Sequence, residues 1–146
     1  MKVYLLAVIC VSFRTHSVAT PEPTKQEVKV DYLLDALMHV ESSGDSMAYN
    51  AVEDAVGVLQ IRPIMVREVN RLLGKDSFTL ADRWSKIKSV AMFNVLRRKM
   101  KGASNKKIAR TWNGGYRVKK STLKYWAKVK KHIIKHKSPH IGIINQ

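Results

Sequence analysis

The sequence predicts a single small all-α domain with at most a minor β element, and three observations support this. The chain has 146 residues, which suits one domain of ordinary size rather than two. Hydrophobic residues make up 45% of it, which is typical of a packed globular domain and excludes a disordered or collagen-like chain. Apolar residues recur at helical spacing, and no segment sustains the alternation of apolar and polar residues that predicts a strand.

Five helical segments follow one another, each bounded by residues that start or stop helices. Asp31 is a typical N-cap before the first segment, Pro63 suits the first turn of the second, and Ser104 is an N-cap candidate for the fourth. Glycines follow the first four segments. The predicted helices span residues 32–42, 63–73, 81–101, 104–112 and 123–134, and residues 45–60 are predicted to form a loop.

The spacing of apolar residues also predicts which helix faces are buried. In the first helix, Leu34, Leu37 and Met38 fall on one side. The same spacing predicts two further buried sets, which are Trp84, Ile87, Ala91, Val95 and Leu96 in the third helix, and Leu123, Trp126, Ala127, Ile133 and Ile134 in the fifth.

The N-terminus is typical of a secretory signal peptide spanning residues 1–19. Lys2 precedes an apolar stretch of about eleven residues, and small residues occur at Ser17 and Ala19, so cleavage is predicted after Ala19. The stretch is shorter than the roughly 20 residues of a membrane-spanning helix, so no span is expected once the signal is removed. An N-terminal core segment or an uncleaved signal anchor is the alternative.

The remaining chain divides into three parts by composition. Pro21 and Pro23 disfavour helix, so residues 20–29 are predicted to form a linker. Residues 30–136 form the predicted folded domain, and residues 137–146 form a basic and apolar tail without a clear structural signal.

No metal site or cofactor site is predicted. The single cysteine, Cys10, excludes an intramolecular disulfide and a cysteine zinc site. His132 and His136 lie four residues apart on one helix, but no acidic residue nearby completes a ligand set.

Glu41 is the first candidate for chemistry. It lies seven residues after Leu34 and three after Met38, on the apolar face of the first helix. Desolvation raises the pKa of a carboxyl group, and a Glu that is protonated near neutral pH can act as a general acid. The alternative is a carboxylate at a helix end that turns to solvent.

Two later segments contain residues suited to a sugar-binding cleft. Gly57 permits close approach of backbone or ligand, and the amide of Gln60, between two apolar residues, needs hydrogen-bond partners such as sugar hydroxyl or acetamido groups. Trp112 can stack on a sugar face, and Asn113 beside it can donate and accept hydrogen bonds. The alternatives are that Gln60 caps backbone and that Trp112 belongs to the core at a helix end.

Taken in order, these segments resemble the three-part signature of the lysozyme-like lytic transglycosylases, the soluble lytic transglycosylase family, including its phage-associated branch. Leu59 stands where that family usually has Met. Trp112 stands where Tyr is usual, which removes a phenolic hydroxyl that could bond to Glu41 or to substrate. The resemblance covers residues 32–131 and rests on Glu41-Ser42, Gly57-Val58-Leu59-Gln60-Ile61 and Trp112-Asn113-Gly114-Gly115.

The resemblance implies a lysozyme-like domain that cleaves the β-1,4 bond between N-acetylmuramic acid and N-acetylglucosamine in peptidoglycan. Glu41 would act first as general acid and then as base, closing a 1,6-anhydro ring without a second carboxylate. No cofactor is implied. The substrate-binding residues that the resemblance implies are Ser42, Tyr49, Gly57, Val58, Gln60, Ile61, Trp112, Asn113 and Tyr116.

Two other functions are consistent with the sequence. A goose-type lysozyme shares the architecture but hydrolyses the bond, and it needs an acidic residue to hold water, for which Asp45, Glu53 and Asp54 are candidates. A non-catalytic basic protein that binds wall or nucleic acid is the second alternative.

The charge of the chain predicts an anionic partner. Its 27 Lys and Arg residues outnumber its 11 Asp and Glu residues, giving a net charge of +16, and the second half is strongly basic. Basic surfaces attract anionic polymers, including bacterial walls and nucleic acid. We expect wall polymers rather than nucleic acid, because exported proteins seldom meet nucleic acid. The signal predicts a secreted, periplasmic or wall-associated protein, or a virion-associated one if it is phage-encoded, and we expect a monomer.

Overall fold

The computed structural model describes residues 30–117 and 119–137, which form a mostly helical domain with one small sheet. The predicted signal peptide, the linker and residues 138–146 of the tail lie outside the described residues. The elements in chain order are α1 (Tyr32–Ser42), β1 (Tyr49–Asn50), β2 (Ala55–Val56), α2 (Pro63–Leu73), a 3-10 helix (Ala81–Trp84), α3 (Lys86–Lys99), α4 (Asn105–Gly114) and α5 (Thr122–Lys137).

The all-α class with a minor β element is confirmed, and several helix ends lie where the capping residues predicted them. The Asp31 side chain accepts a hydrogen bond from the Leu34 N–H, 3.3 Å away, at the start of α1. Ser104 likewise accepts from the Lys107 N–H at the start of α4. Among the described residues, no helix is both long enough and apolar enough to cross a membrane.

The region predicted as a plain loop contains the sheet. β1 and β2 pair in antiparallel register, with Tyr49 opposite Val56 and Asn50 opposite Ala55. Val56 also bridges to Ile61. These strands are too short for the alternation of polar and apolar residues that reveals a strand in sequence.

The prediction of one helix over residues 81–101 is wrong. Ser85 adopts an extended backbone and caps α3 by accepting from the Lys88 N–H, so a separate 3-10 helix precedes α3. The break shifts the helical phase, and Trp84 and Ile87, predicted to be buried, are 39% and 82% exposed. The buried residues of α3 are Ser89, Met92, Phe93, Val95 and Leu96.

The predicted buried face of α5 is also largely wrong. Leu123, Ala127 and Ile134 are exposed, although Ile133 is buried as predicted. The buried positions are Thr122, Val129 and Ile133, with Tyr125 and Trp126 partly buried against the core.

The core lies between α1, α4 and α5 on one side and α2 and α3 on the other. Phe93 of α3 and Trp112 of α4 make an edge-to-face contact, with ring centroids 5.4 Å apart. Arg97 of α3 pairs with Asp31, which ties α3 to the cap of α1. This packing brings the C-terminal ends of α1 and α4 to the β1–β2 hairpin.

Candidate active site

A polar cavity of about 280 Å³ lies where the end of α1, the hairpin and the end of α4 meet. Five residues predicted from sequence as catalytic or substrate-binding line it together, although they come from three separate segments of the chain. They are Glu41, Gln60, Ile61, Trp112 and Asn113.

The carboxyl group of Glu41 has an unusual electrostatic environment in this cavity. Burial raises its pKa from 4.5 to about 7, while the hydrogen bond from Tyr125 and then the charge of Arg62 act to lower the pKa. The charge of Glu53 adds a smaller rise, and the Trp112 side chain a smaller lowering. With a pKa near 7, the carboxyl group can keep its proton at a higher pH than an ordinary glutamate, which is a property that a general acid needs.

Tyr125 is a site residue that the sequence analysis did not assign. Its hydroxyl donates a hydrogen bond to Glu41 Oε1 at 2.6 Å, joining α5 to α1. Burial and the nearby Glu41 raise the pKa of the hydroxyl, so it remains a donor. Trp112, on α4, has no phenolic hydroxyl to offer to Glu41. Tyr125, on α5, supplies one instead. Its place three residues after Thr122 and four before Val129, on the buried face of α5, is the signal that was available.

Gln60 both supports the hairpin and lines the cavity. Its backbone is left-handed, with φ of 46°, and its amide nitrogen donates to the carbonyl oxygens of Ala48 at 3.2 Å and Gly57 at 3.0 Å. The nitrogen is therefore committed to the backbone, as the capping alternative predicted. The side-chain oxygen accepts no hydrogen bond from the described residues, and it is the atom available to a ligand.

Ser42, Gly57 and Val58 do not line the cavity but position the segment that does. The Ser42 hydroxyl donates to the carbonyl oxygen of Val58 at 2.9 Å, and Val58 itself is buried. Gly57 lies against the backbone of Arg83, where a side chain would collide with the Arg83 carbonyl oxygen. These contacts anchor the hairpin to α1 and to the 3-10 helix.

The two predicted aromatic walls lie elsewhere. Tyr49 is 58% exposed and contacts Trp84, with ring centroids 6.2 Å apart. Tyr116 lines a neighbouring cavity beside Glu68.

Among the three acidic candidates for holding water, Glu53 is the one that lines the cavity with Glu41. Its carboxylate lies 3.8 Å from the Arg62 guanidinium. Asp54 pairs instead with Arg83 at 3.3 Å, and Asp45 accepts from the Met47 N–H at 2.8 Å. Arg62, Asn50, Ala55 and Met65 complete the cavity wall, and the sequence analysis did not select them.

The described residues contain no group of three or more His, Cys, Asp or Glu placed to hold a metal ion. His132 does lie between His39 and His136, with ring centroids 4.2 Å apart on each side. The His39 and His132 rings are stacked, and the His132 and His136 rings are tilted by 30°. The three rings form a histidine stack where α1 meets α5.

The chain matches no protein-family model, no curated protein and no solved structure.

Proposed function

We propose that the protein is a lytic transglycosylase that cleaves the β-1,4 bond between N-acetylmuramic acid and N-acetylglucosamine in peptidoglycan. The observation that carries the proposal is Glu41, a carboxyl group with a pKa raised to about 7 in a polar cavity. Hydrogen-bonding groups of Gln60 and Asn113 and the indole of Trp112 surround the same cavity. Amides beside an aromatic ring suit a sugar carrying hydroxyl and acetamido groups.

The proposed reaction returns one proton to Glu41. The protonated carboxyl group donates its proton to the glycosidic oxygen as the bond from C1 to that oxygen breaks. The N-acetyl group of the substrate stabilises the positive charge at C1. The ionised Glu41 then removes the proton from the 6-hydroxyl of the same sugar, and the 6-oxygen bonds to C1 to close the anhydro ring.

Tyr125 supports the second half of this sequence. A donor 2.6 Å from Glu41 Oε1 stabilises the carboxylate that forms when the proton leaves. Burial favours the neutral acid before the reaction, and Tyr125 with Arg62 favours the anion after it. Acid–base catalysis by such a group contributes about 10²- to 10⁴-fold in rate.

Glu53 favours a second candidate function, hydrolysis of the same bond. It is a second carboxylate in the cavity of Glu41, and a hydrolase needs such a group to position the attacking water. Glu53 is held beside Arg62, which keeps it close to the site.

The experiment is digestion of purified peptidoglycan followed by mass measurement of the products. We expect products with anhydro-muramic ends, which are one water lighter than reducing ends. Glu41→Gln is expected to reduce the rate by at least about 10²-fold, whereas Glu53→Gln keeps the anhydro product.

Three results contradict the proposal. Reducing ends that disappear in Glu53→Gln identify a hydrolase. Folded wild-type protein that releases no fragments from several wall types favours a non-catalytic basic binding protein. Glu41→Gln as active as wild type excludes the proposed role of Glu41.

A further inference from the structure

A separate cavity, of about 400 Å³, lies between α1 and α5 beside the histidine stack. None of the residues that line it lines the candidate active site. Apart from Val40, every residue of its lining has a basic side chain, and we call it the basic cavity. The basic residues are His39, Lys128, Lys131, His132 and Lys135.

The lysines of the basic cavity have no acidic partner within residues 30–117 and 119–137. Lys128, Lys131 and Lys135 form no ion pair with any residue in those ranges. The helix that carries them has six lysines and no acidic residue. Because like charges repel, an anion that binds among these groups supplies the counter-charge that the protein lacks.

The spacing of the three lysines suits a chain of anions better than a single one. They lie three and four residues apart, so they follow one another along one side of α5. At about 1.5 Å of rise per residue, the row is about 10 Å long. A small anion contacts part of this row, whereas a polymer with a negative charge in every repeat contacts all of it.

The aromatic residues of α5 pack toward the core rather than into the basic cavity. Tyr125 and Trp126 are partly buried against the core, and the Tyr125 hydroxyl is bonded to Glu41. The histidine rings are in contact with one another. Proteins that bind single-stranded nucleic acid usually stack its bases on aromatic side chains. The basic cavity therefore favours a phosphate polymer without bases.

The histidine stack gives the basic cavity a charge that depends on pH, because histidine titrates between about pH 5 and pH 8. The charged groups that act on His132 from α1 and α5 are His39, Asp35, His136 and Lys135. The charged residues of α4, which also packs against α5, are Lys106, Lys107 and Arg110.

Bound polyanion and bound protons strengthen each other at this stack. Burial, and then the charge of His39, lower the pKa of His132 in the free protein. Negative charge placed beside the ring favours its protonated form. Since such coupling is reciprocal, protonation of the stack tightens the binding of the polyanion by the same factor.

We propose that the basic cavity binds a phosphodiester polymer of the bacterial wall, and that its histidines take up protons when the polymer binds. The choice of a wall polymer rests on the proposed function, whereas binding of a polyanion without bases rests on the cavity itself. Binding is therefore tighter in mild acid than in mild base. A phosphodiester stays ionised over this range, so the difference comes from the protein.

The experiment is calorimetric titration with purified, unesterified poly(glycerol phosphate) at pH 5.5 and pH 8 and at constant ionic strength. It uses the Glu41→Gln background, because Glu41, with a pKa of about 7, would otherwise change the net charge between the two conditions. We expect binding about tenfold tighter at pH 5.5.

His39→Gln combined with His132→Gln is expected to remove most of this ratio and to leave the affinity at pH 8 unchanged. Lys131→Gln is the matched control, because it removes a charge that does not titrate in this range. It should weaken binding at both pH values and keep the ratio. His39→Gln alone changes an exposed side chain, so it reduces the ratio without depending on the double variant remaining folded.

Each outcome decides the proposal. Equal affinity at the two pH values, or a ratio that survives the double histidine variant, overturns it. Single-stranded DNA that binds more tightly than a poly(glycerol phosphate) chain with the same number of phosphates overturns it in favour of nucleic acid. If wild-type protein cleaves no glycan but the histidine-dependent ratio remains, the binding site stands and the proposed function fails.

Discussion

At the scale of single residues, burial raises the pKa of Glu41 to about 7, against 4.5 for the ordinary side chain. A group whose pKa rises on folding contributes its full stability below the ordinary pKa and loses it as the pH increases through the folded value. The loss for Glu41 therefore falls between about pH 4.5 and pH 7. Above that range the folded protein confines a carboxylate in a site that favours the neutral acid.

Glu41→Gln is expected to stabilise the protein at pH 8 while removing the proposed glycan cleavage. The neutral amide avoids the cost of the buried charge, which is on the order of 3 kcal/mol for a pKa difference of this size. Urea unfolding at pH 8 and at pH 4 measures the effect, which should nearly vanish at pH 4. Glu53→Gln is the control, since its carboxylate is more exposed. A gain of equal size at both pH values contradicts the buried-acid account.

Tyr125→Phe is expected to shift the pH dependence of the proposed glycan cleavage. Loss of activity in the wild type should follow ionisation of Glu41 near pH 7. The hydrogen bond from Tyr125 lowers the pKa of Glu41, so its removal should move the alkaline limb upward by roughly one to two pH units. The measurement is the cleavage rate from pH 5 to pH 10.

Tyr32→Phe is the matched control for this shift, because Tyr32 lies at the other end of α1. An alkaline limb that stays in place in Tyr125→Phe shows that the hydrogen bond does not govern the acid.

The position of Glu41 on the apolar face of α1 could be predicted from the sequence, because it depends only on the helical spacing from Leu34 and Met38. Sequence spacing did not predict Tyr125, which lies 84 residues from its partner, and such a pairing is decided by tertiary packing. Gln60 was selected for a polar position between apolar neighbours, but its bonds to Ala48 and Gly57 depend on a hairpin that the sequence did not reveal.

At the scale of elements, the hairpin is held by a close approach that only glycine permits. Gly57 has a φ of +76° and packs against the carbonyl oxygen of Arg83. Gly44 has a similar φ of +86°, but nothing lies within 4 Å of the place where a Cβ would sit. A side chain at Gly44 would therefore meet only backbone strain, whereas a side chain at Gly57 would meet backbone strain and a steric clash.

Gly57→Ala is expected to destabilise the protein by clearly more than Gly44→Ala. Both pay the cost of a left-handed backbone, about 1–2 kcal/mol, and Gly57→Ala adds the displacement of the 3-10 helix. Thermal unfolding of both variants gives the comparison. Since Gly57 lies in the segment that carries Gln60 and Ile61, Gly57→Ala should also lower the proposed rate of glycan cleavage. Equal destabilisation by the two variants shows that the close contact with Arg83 adds nothing to the cost of Gly57→Ala.

The histidine stack between α1 and α5 predicts a loss of stability in acid. Burial, and then the charges of His39, His136 and Lys135, lower the pKa of His132, while Asp35 acts to raise it. A His with a lowered pKa binds protons less readily when folded, so stability falls as the pH decreases through the ordinary value of about 6.5.

His132→Phe keeps an aromatic ring and removes the titration. We expect its gain in stability, relative to wild type, to be larger at pH 5 than at pH 8, measured by urea unfolding. His136→Phe removes only one neighbouring charge and should give a smaller difference. A pH dependence identical to that of wild type contradicts the stack as its source.

The wrong predictions for α3 and α5 have separate causes at this scale. Residues 123–134 contain apolar side chains on several sides, so their spacing fits more than one buried face. Contact with α1 and α4 selects the face with Val129 and Ile133. In the third predicted helix, Ser85 changes the phase, and one capping serine is a weak signal inside an otherwise helical pattern.

At the scale of the whole molecule, the charges of the chain are segregated. Asp82 is the last acidic residue, so the chain from residue 83 onward contains only basic charges. Glu41 and Glu53 lie in the first part, whereas α5 carries six lysines and no acidic residue. The all-α class could be predicted because composition and helix caps are properties of the sequence itself. Some of the cavity residues could be predicted because they lie in short motifs at the ends of helices.

This segregation predicts that binding to anionic wall polymers depends on α5 rather than on net charge alone. Lys128, Lys131 and Lys135 surround the histidine stack on one side of the helix. Replacing all three with Glu should weaken retention on teichoic-acid-bearing walls more than the same change at three exposed lysines elsewhere, namely Lys75, Lys86 and Lys99. Both triple variants change the net charge equally, so only the location of the charge differs.

The measurement is the bound fraction in wall pull-downs across a salt series. Retention of the wild type should decline steeply above about 0.15 M salt, where exposed charges are screened beyond roughly 8 Å. The α5 variant should lose both the retention and its salt dependence, while the control triple keeps most of each. Equal losses in the two variants show that net charge alone directs the protein to its partner. Retention on walls stripped of teichoic acid that matches retention on intact walls shows that the phosphate polymer is not the ligand of α5.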